Sequence, residues 1–401
     1  MTALLLYSYY TDKMSYFNDW VDAFKDHPDY QSECLNVFNP EGKIQKIQKS
    51  IEKADLIILH HSMNGDTLKY LLPFTTAIKN RKGKLISFVG NEVNLPILGM
   101  APKIKILKEL DAEIIATQLP QEAGEWLYSD CTKSKVVSLP HALNPKAFYP
   151  ISGQSRVLDI GTRSAHYGVY IGDNDRNNIV RFFHDNSKRL QLSVDLGLDH
   201  ECQKRFNRVE WAKFLSSCKA TLSTEAGSFY LQKDDYLIQQ IQGYLRNKSK
   251  KWVLPNESQS GARKMYGMII PSAIRKLINY YLREKLIEAD MLDEDCNFDE
   301  IFQKFFSKTL KCPVYSKAIS SRHFDAIGTK TLHIMYPGRY NDILKPNENY
   351  LELKKDHSNI DYIIEKLKDK KFIKAVTDRT YDYVISEHTH KKRLDFLLKE
   401  L

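Results

Sequence analysis

No stretch of this sequence reaches the roughly 18 consecutive apolar residues that a membrane span requires, so no helical span is expected. The opening residues, MTALLLYSYYTDK, are apolar but lack a basic leader and a small-residue cleavage site, and they read as a first buried strand. Cysteine is sparse. Six thiols (Cys34, Cys131, Cys202, Cys218, Cys296, Cys312) occur with no CxxC and no histidine at metal-ligand spacing, which argues against a zinc site or a disulfide framework. They read as reduced thiols of a cytoplasmic protein. No DxD-like pair sits at a strand end, and KDD (233–235) and DED (293–295) read as solvated turns, so no metal site is expected. There is no internal repeat and no low-complexity tract. The net charge of +9 is moderate, with Lys and Arg scattered rather than striped along one element. That suits an anionic ligand or an anionic membrane surface better than nucleic acid.

What is present is a globular composition, 42% hydrophobic and 27% charged, in a chain of 401 residues. That length exceeds one ordinary core and suits two domains. Over residues 1–150 apolar runs alternate with helical stretches: LLLYSYY, ADLIILHH (54–61), KLISFVGNE (84–92), AEIIATQ (112–118) and KVVSLPHA, with helical segments over 15–26 and 66–81. Continuous apolar runs separated by helices predict βαβ units and a mostly parallel sheet covered on both faces. Ligands of such sheets bind beyond the carboxyl ends of the strands. Tyr9, Tyr10, Asp12, His60, His61, Asn91 and Glu92 fall on that edge.

HALNPKAFYP (141–150) has two prolines and reads as a connector. A second alternation follows: RVLDIGTRS (156–164), a helix over 177–186, LQLSVDLG (190–197), a helix over 208–217 and ATLSTEAGS (220–228). The expected fold class is α/β, two Rossmann-like lobes with a cleft between them. The expected division is an acceptor lobe over 1–150 and a donor lobe over 151–380, interrupted by a helical insertion over about 234–317. Within the insertion, helices are expected over 273–289 and 298–310. Tyr280 and Tyr281 read as core or interface residues there rather than as bases' stacking partners. Helices are expected again over 360–368 and 371–377, with a final segment 381–401 returning to the first lobe.

SSRHFDAIGTKTLHI (320–334) sets an Arg, an aromatic and an acid just ahead of a glycine and a strand-like run. With STEAGS (223–228) upstream, it resembles the split donor-site motif of GT-B glycosyltransferases of the group 1, family 4-like set. LPHALNPKAFYP resembles the interdomain connector of that group. PGRYNDILKPNENYLELKKDHSNIDYIIEKLKD (337–369) resembles the tail of the motif in bacterial capsule and O-antigen transferases. The resemblance implies transfer of a sugar from a phosphate-activated donor, a nucleotide sugar, to a glycan acceptor, lipid-linked, with no cofactor and no metal. It implies donor contacts from Arg163, Glu225, Gly227, Arg322, Phe324, Asp325, Gly328 and Thr329. At 325 the family carries Glu, and the shorter Asp changes the expected ribose contact.

The physical chemistry points the same way, because helix N-termini and arginines stabilise the charge that grows on a departing phosphate. Arg322 would lie just ahead of a helix begun by Phe324 and Asp325. His61, Glu92 and Asp12 are the first-lobe candidates for the general base or for sugar positioning. The packing alternative is that one of His60 and His61 caps the next helix and the other is buried. The same fold also serves sugar-nucleotide 2-epimerases, and a non-catalytic nucleotide- or glycan-binding module is a third reading. A cytoplasmic protein peripheral to the inner face of the membrane is expected, with RNKSKK (246–251) beside Trp252 as the contact.

Overall fold

The computed structural model describes residues 2–40, 42–164, 166–198, 205–249, 252–254, 286–288, 292–293 and 296–401. Most of the helix expected over 273–289, with Tyr280, Tyr281, Lys250, Lys251 and Asp295, lies outside these described residues, and its described part, Leu286–Glu288, is a strand instead of a helix.

The first lobe is a six-stranded parallel sheet: β1 (Thr2–Tyr7), β2 (Gln31–Asn36), β3 (Leu56–Leu59), β4 (Lys84–Phe88), β5 (Ile114–Thr117) and β6 (Lys135–Ser138), in the order β2-β1-β3-β4-β5-β6. Five helices connect them: α1 (Ser15–Asp26), α2 (Ile44–Lys53), α3 (Thr75–Lys79), α4 (Met100–Leu110) and α5 (Gln121–Leu127). The strand period of two divides the core. Leu4, Leu6, Ile57 and Leu59 face one layer, Ala3, Leu5, Leu56 and Ile58 the other, which is why the central strands read as unbroken apolar runs.

Two expectations need correction here. The edge strand β2 is QSECLN, half exposed and too polar to stand out as a run. The helix expected over 66–81 is mostly loop. Pro73 removes a backbone donor and disfavours helix at Leu72, leaving a short 3-10 turn (Leu72–Phe74) and the five residues of α3.

The second lobe carries a five-stranded parallel sheet of β7 (Leu158–Gly161), β8 (Val194–Asp195), β9 (Cys218–Ser223), β14 (Leu332–Met335) and β15 (Leu351–Glu352), ordered β15-β14-β9-β7-β8. Of the strand expected over 190–197, only Val194–Asp195 pairs. The helices are α6 (Asp175–Asn186), α7 (Arg208–Ser216), α8 (Tyr236–Lys248), α9 (Phe298–Ile301, continued by a π turn to Phe306) and α10 (Ser321–Gly328). Two small pairs lie off the sheet: β10 (Ala226–Gly227) antiparallel to β13 (Lys317–Ala318), and β11 (Trp252–Leu254) parallel to β12 (Leu286–Glu288).

The chain ends with α11 (Ile360–Lys368), α12 (Lys370–Glu387) and α13 (His390–Glu400). The helix expected over 371–377 is the start of an 18-residue element, so residues 381–387 finish α12 instead of opening a new segment. Val384 packs beside the connector's Leu143 and Phe148. The Leu143 N–H then donates to His388 O (2.9 Å) and the His390 N–H to Leu143 O (3.1 Å), which turns the chain onto the first lobe. There Leu394 and Leu397 are buried among Trp20, Phe24, Leu56 and Ile58. Leu394→Ala or Leu397→Ala should therefore cost about 2–5 kcal/mol in urea unfolding. Phe396→Ala, at a 42% exposed position on the same helix, should stay within about 0.5 kcal/mol. Equal losses at all three positions would mean that α13 is not docked this way.

Candidate functional site

The carboxyl ends of the second sheet gather Arg163, Glu225, Gly227 and Arg322, whereas Gly328 and Thr329 lie at the far end of α10, ahead of β14. Ser320 opens α10: its N–H donates to His323 Nδ1 (3.1 Å), a reciprocal cap that starts the helix at Ser321. Arg322 therefore sits inside the first turn rather than ahead of the helix, and Phe324 and Asp325 lie in its middle. The Arg322 guanidinium donates to Ser164 Oγ (2.8 Å), just beyond β7.

Beside it stands Arg176, in the first turn of α6, with its guanidinium 3.7 Å from the centre of the Tyr167 ring. Among the described residues neither guanidinium has an ion-pair partner. The acids that reach them electrostatically are Asp173 and Asp325 respectively. Burial and then the neighbouring Arg322 charge bring Arg176 down to about 9, and burial also lowers Arg322. Arg176 and Tyr167 were not among the residues expected from sequence. The available signal was an arginine one residue after the acid that begins the first helix of the second lobe.

The other donor-side candidates have internal partners. Arg163 pairs with Asp195 Oδ2 (2.7 Å) and lies over the Phe206 and Phe214 rings. The buried Glu225 carboxylate accepts from the Tyr315 hydroxyl and from the Tyr340 N–H (2.7 Å), and desolvation raises its pKa despite them. Gly227 has φ +92°, and a Cβ there would meet Ser316 O at 2.8 Å, so this bend requires glycine. Phe324 is core. Gly328 packs flat on the connector, where a Cβ would fall 2.6–2.7 Å from Leu143 and Phe148. Thr329 is buried, its hydroxyl bonded to Ala326 O (3.0 Å) and Thr331 Oγ1 (2.9 Å). Lys317, missed from sequence, is buried between Asp173 (2.8 Å) and Asp175 (3.6 Å) and is already neutralised.

Asp325 faces the seam between the lobes. Its Oδ2 accepts from Trp211 Nε1 (3.0 Å) and from Ser15 Oγ of α1 (3.2 Å). Nearby, Arg208 of α7 spans Asp19 (2.9 Å) and Asp22 (2.7 Å) of α1, and Asn144 donates to Asp19 (2.9 Å). Burial raises Asp19 to about 6 and holds Asp325 well above the usual carboxylate range.

On the first lobe, Asp12 is exposed beside Lys13 (3.4 Å). Glu92 is buried and accepts from Thr117 Oγ1 (2.6 Å), the Gln118 N–H (2.7 Å) and the Tyr128 hydroxyl (2.6 Å), so its carboxylate fixes the 90–94 loop against β5. His60 Nδ1 accepts from the Ser62 N–H (3.1 Å) and caps the turn after β3, while His61 is buried against His141 and Phe88. His390 joins this group against Trp20. Burial drives His60 and His141 down to about 3 and His61 and His390 well below their ordinary value. Among the described residues no group of three or more His, Cys, Asp or Glu side chains is arranged to hold a metal ion.

No protein-family description and no curated protein matches the chain. Among solved structures it is similar to Anabaena HepE in complex with UDP-glucose, at a TM-score of 0.50 and 9% identity over 100% of both chains. It is also similar to a UDP-N-acetylglucosamine 2-epimerase (TM-score 0.41, 10% identity, 100% of this chain and 96% of that one). A third similarity is to TarM (TM-score 0.40, 8% identity, 89% and 57%). The HepE match shows the fold alone: two Rossmann-like lobes in the GT-B arrangement.

The buried histidines have a consequence for stability. The folded chain keeps them neutral where the unfolded chain takes up protons, so stability is complete above about pH 6.5 and is lost as pH falls toward the folded values near 3. Each contributes a slope of about 1.4 kcal/mol per pH unit. Asp19 acts in the opposite sense over part of this range. His390→Phe removes one histidine while leaving Asp19 in place. Its urea-unfolding free energy between pH 6 and pH 4.5 should fall about 1.4 kcal/mol per unit less steeply than that of the wild type. An unchanged slope would mean that His390 already titrates freely.

Proposed function

We propose that this chain is a glycosyltransferase that moves a sugar from a nucleotide-activated donor to a growing surface glycan such as O-antigen or capsule. The observation that carries the donor assignment is the pair Arg176 and Arg322. Arg176, buried, and Arg322, half-buried, sit in the first turns of two helices at the carboxyl edge of a parallel sheet, and neither has an ion-pair partner among the described residues. A phosphate-activated leaving group gains negative charge as the glycosidic bond breaks, and fixed guanidinium groups and helix N-termini stabilise that charge without reorganising. Ser164 and Tyr167 orient the two side chains. The surface-glycan acceptor rests on the resemblance of residues 337–369 to capsule and O-antigen transferases.

Thermal-shift titration tests the donor reading, because a ligand bound only by the native state stabilises it increasingly above its Kd. UDP, GDP, their sugar conjugates and pyrophosphate are the probes. Hydrogen bonds to charged groups are worth about 1.5–3 kcal/mol, so Arg322→Ala and Arg176→Ala should each weaken the stabilising nucleotide roughly 10- to 150-fold with the fold intact. Unaltered affinity in both variants, or no stabilisation by any probe, would end this reading. Conversion of UDP-N-acetylglucosamine without an acceptor would favour an epimerase instead.

The acceptor, on this reading, is lipid-linked, and the enzyme works peripherally at the cytoplasmic face of the membrane. No helix among the described residues is long and apolar enough to cross it. The net charge of +9 and the basic run 246–251, of which Arg246 and Lys248 fall in the last turn of α8, support the contact, at about 1 kcal/mol per basic residue near an anionic leaflet. Flotation with phosphatidylglycerol vesicles at low salt should recover the protein, and replacing the lysines of the run with glutamate should abolish recovery. Equal flotation of both proteins would remove the patch from consideration.

A further inference from the structure

The segment between β9 and α10 crosses from one lobe to the other. It leaves the second sheet at Ser223, pairs Ala226–Gly227 with Lys317–Ala318, and between those strands places residues 231–235 on the first lobe. Leu231 and Ala318 are buried in the first-lobe core beside Met100, Ile104 and Leu119. Asn94 holds the crossing backbone, its side chain accepting from the Gln232 N–H (2.9 Å) and donating to Gln232 O (3.0 Å) and Asp234 O (2.7 Å).

Asp235, expected in a solvated turn, instead caps a helix of the opposite lobe. Its carboxylate accepts from the N–H groups of Met100 (2.9 Å) and Ala101 (3.1 Å), which open α4, and from Asn94 Nδ2 (2.9 Å). The residue ahead of α4 is Gly99, which has no side chain to cap with. A Cβ at that position would lie 2.1–2.2 Å from the Asp235 carboxyl group, so the glycine leaves room for a cap delivered from elsewhere. One turn further on, the buried Lys103 ammonium donates to Gly90 O (2.8 Å) and Asn91 O (2.6 Å), and Asp235 is among the acids supporting its charge.

We infer that Asp235 is a positioning residue, an interlobe latch that docks the 228–235 strap on the N-terminus of α4 and couples the 90–101 segment of the first lobe to the donor edge of the second. The coupling runs through short links. Glu225 lies just before β10 and accepts from Tyr315, while β13 leads directly into α10 and Arg322. Its effect on a bound nucleotide rests on the donor reading above. The latch itself does not.

Hydrogen exchange on the full chain, without ligand and with UDP, tests both parts. Asp235→Ala and Gly99→Ala should each raise exchange at least tenfold in peptides covering 98–104 and 229–236, while peptides of β3 and α13 stay unchanged. Asp235→Asn, which keeps one carbonyl acceptor, should recover part of the protection. UDP should slow exchange at 98–104 in the wild type and lose that effect in Asp235→Ala. Unchanged exchange at 98–104 in both ligand-free variants, or a uniform rise throughout the chain, would overturn the latch. If UDP stabilises the wild type yet leaves 98–104 unaffected, the coupling is overturned. If UDP fails to stabilise the wild type, whichever of GDP, the sugar conjugates or pyrophosphate does stabilise it replaces UDP in this test; if none does, the donor reading falls and ligand-free exchange alone decides the latch.

Discussion

Two arginines, Arg176 and Arg322, near enough for one charge to act on the other and without an ion-pair partner among the described residues, set the constraint around which this edge of the second lobe is organised. Burial, and after it the Arg322 charge, bring Arg176 down to about 9, so its charged form is held at a cost. A protein retains such an arrangement only where the backbone over-determines it. Tyr167 lies under Arg176, and the Tyr167 backbone is held in turn by Asn177, through its N–H and its O (both 2.9 Å). At the other end of α10, Arg156 donates to Thr329 O (2.7 Å), Lys330 O (2.9 Å) and Thr331 Oγ1 (3.1 Å), pinning the helix exit beside β9. Lys317 provides the contrast. It is equally buried but flanked by two carboxylates, and its pKa is raised, so it has no need of an external anion.

The seam between the lobes is polar outside the strap, where Leu231 and Ala318 enter the first-lobe core. Asp19, Asp22 and Arg208 meet on one side, Arg339 meets Glu122 and Asn341 meets Gln118 O (3.0 Å) on another, and the strap meets α4 on a third. Except at Asp19 these ion pairs are partly exposed, and such pairs contribute about 0–1 kcal/mol each. The strap contributes about 1 kcal/mol from its cap and roughly 2 kcal/mol from burying Leu231. Converting a two-state equilibrium almost completely takes about 5.5 kcal/mol of differential binding. The strap contact, at a few kcal/mol, is thus smaller than what a complete conversion would take.

Sequence showed the architecture where burial is symmetric and hid it where burial is one-sided. LIIL in β3 and IIAT in β5 are covered on both faces and read as strands at once, whereas QSECLN forms β2 through edge hydrogen bonds that leave no apolar trace. Pro73 was visible, yet the apolar period around it suggested a helix that its missing N–H interrupts. In the site, Arg322 stood out because a motif surrounded it. Arg176 lay in GDNDRNN, an ordinary polar helix start, and only the fold brings it beside Arg322. Asp235 could not be read at all, since its partners Met100 and Ala101 are 135 and 134 residues away and are backbone groups, which no side-chain pattern announces.

Asp325 shows how one helix can serve both the second lobe and the seam. It lies three residues after Arg322, on the same side of α10, but its short side chain stops at Ser15 and Trp211 while the longer arginine reaches Ser164. Burial holds Asp325 toward its neutral form, and the Arg322 charge is one of the influences opposing that shift. One turn of α10 thus faces two ways: Arg322 reaches the end of β7 through Ser164, and Asp325 ties the same turn to α1 and α7 through Ser15 and Trp211. A substitution in that turn acts on both contacts at once, because neighbours in one network are not energetically independent.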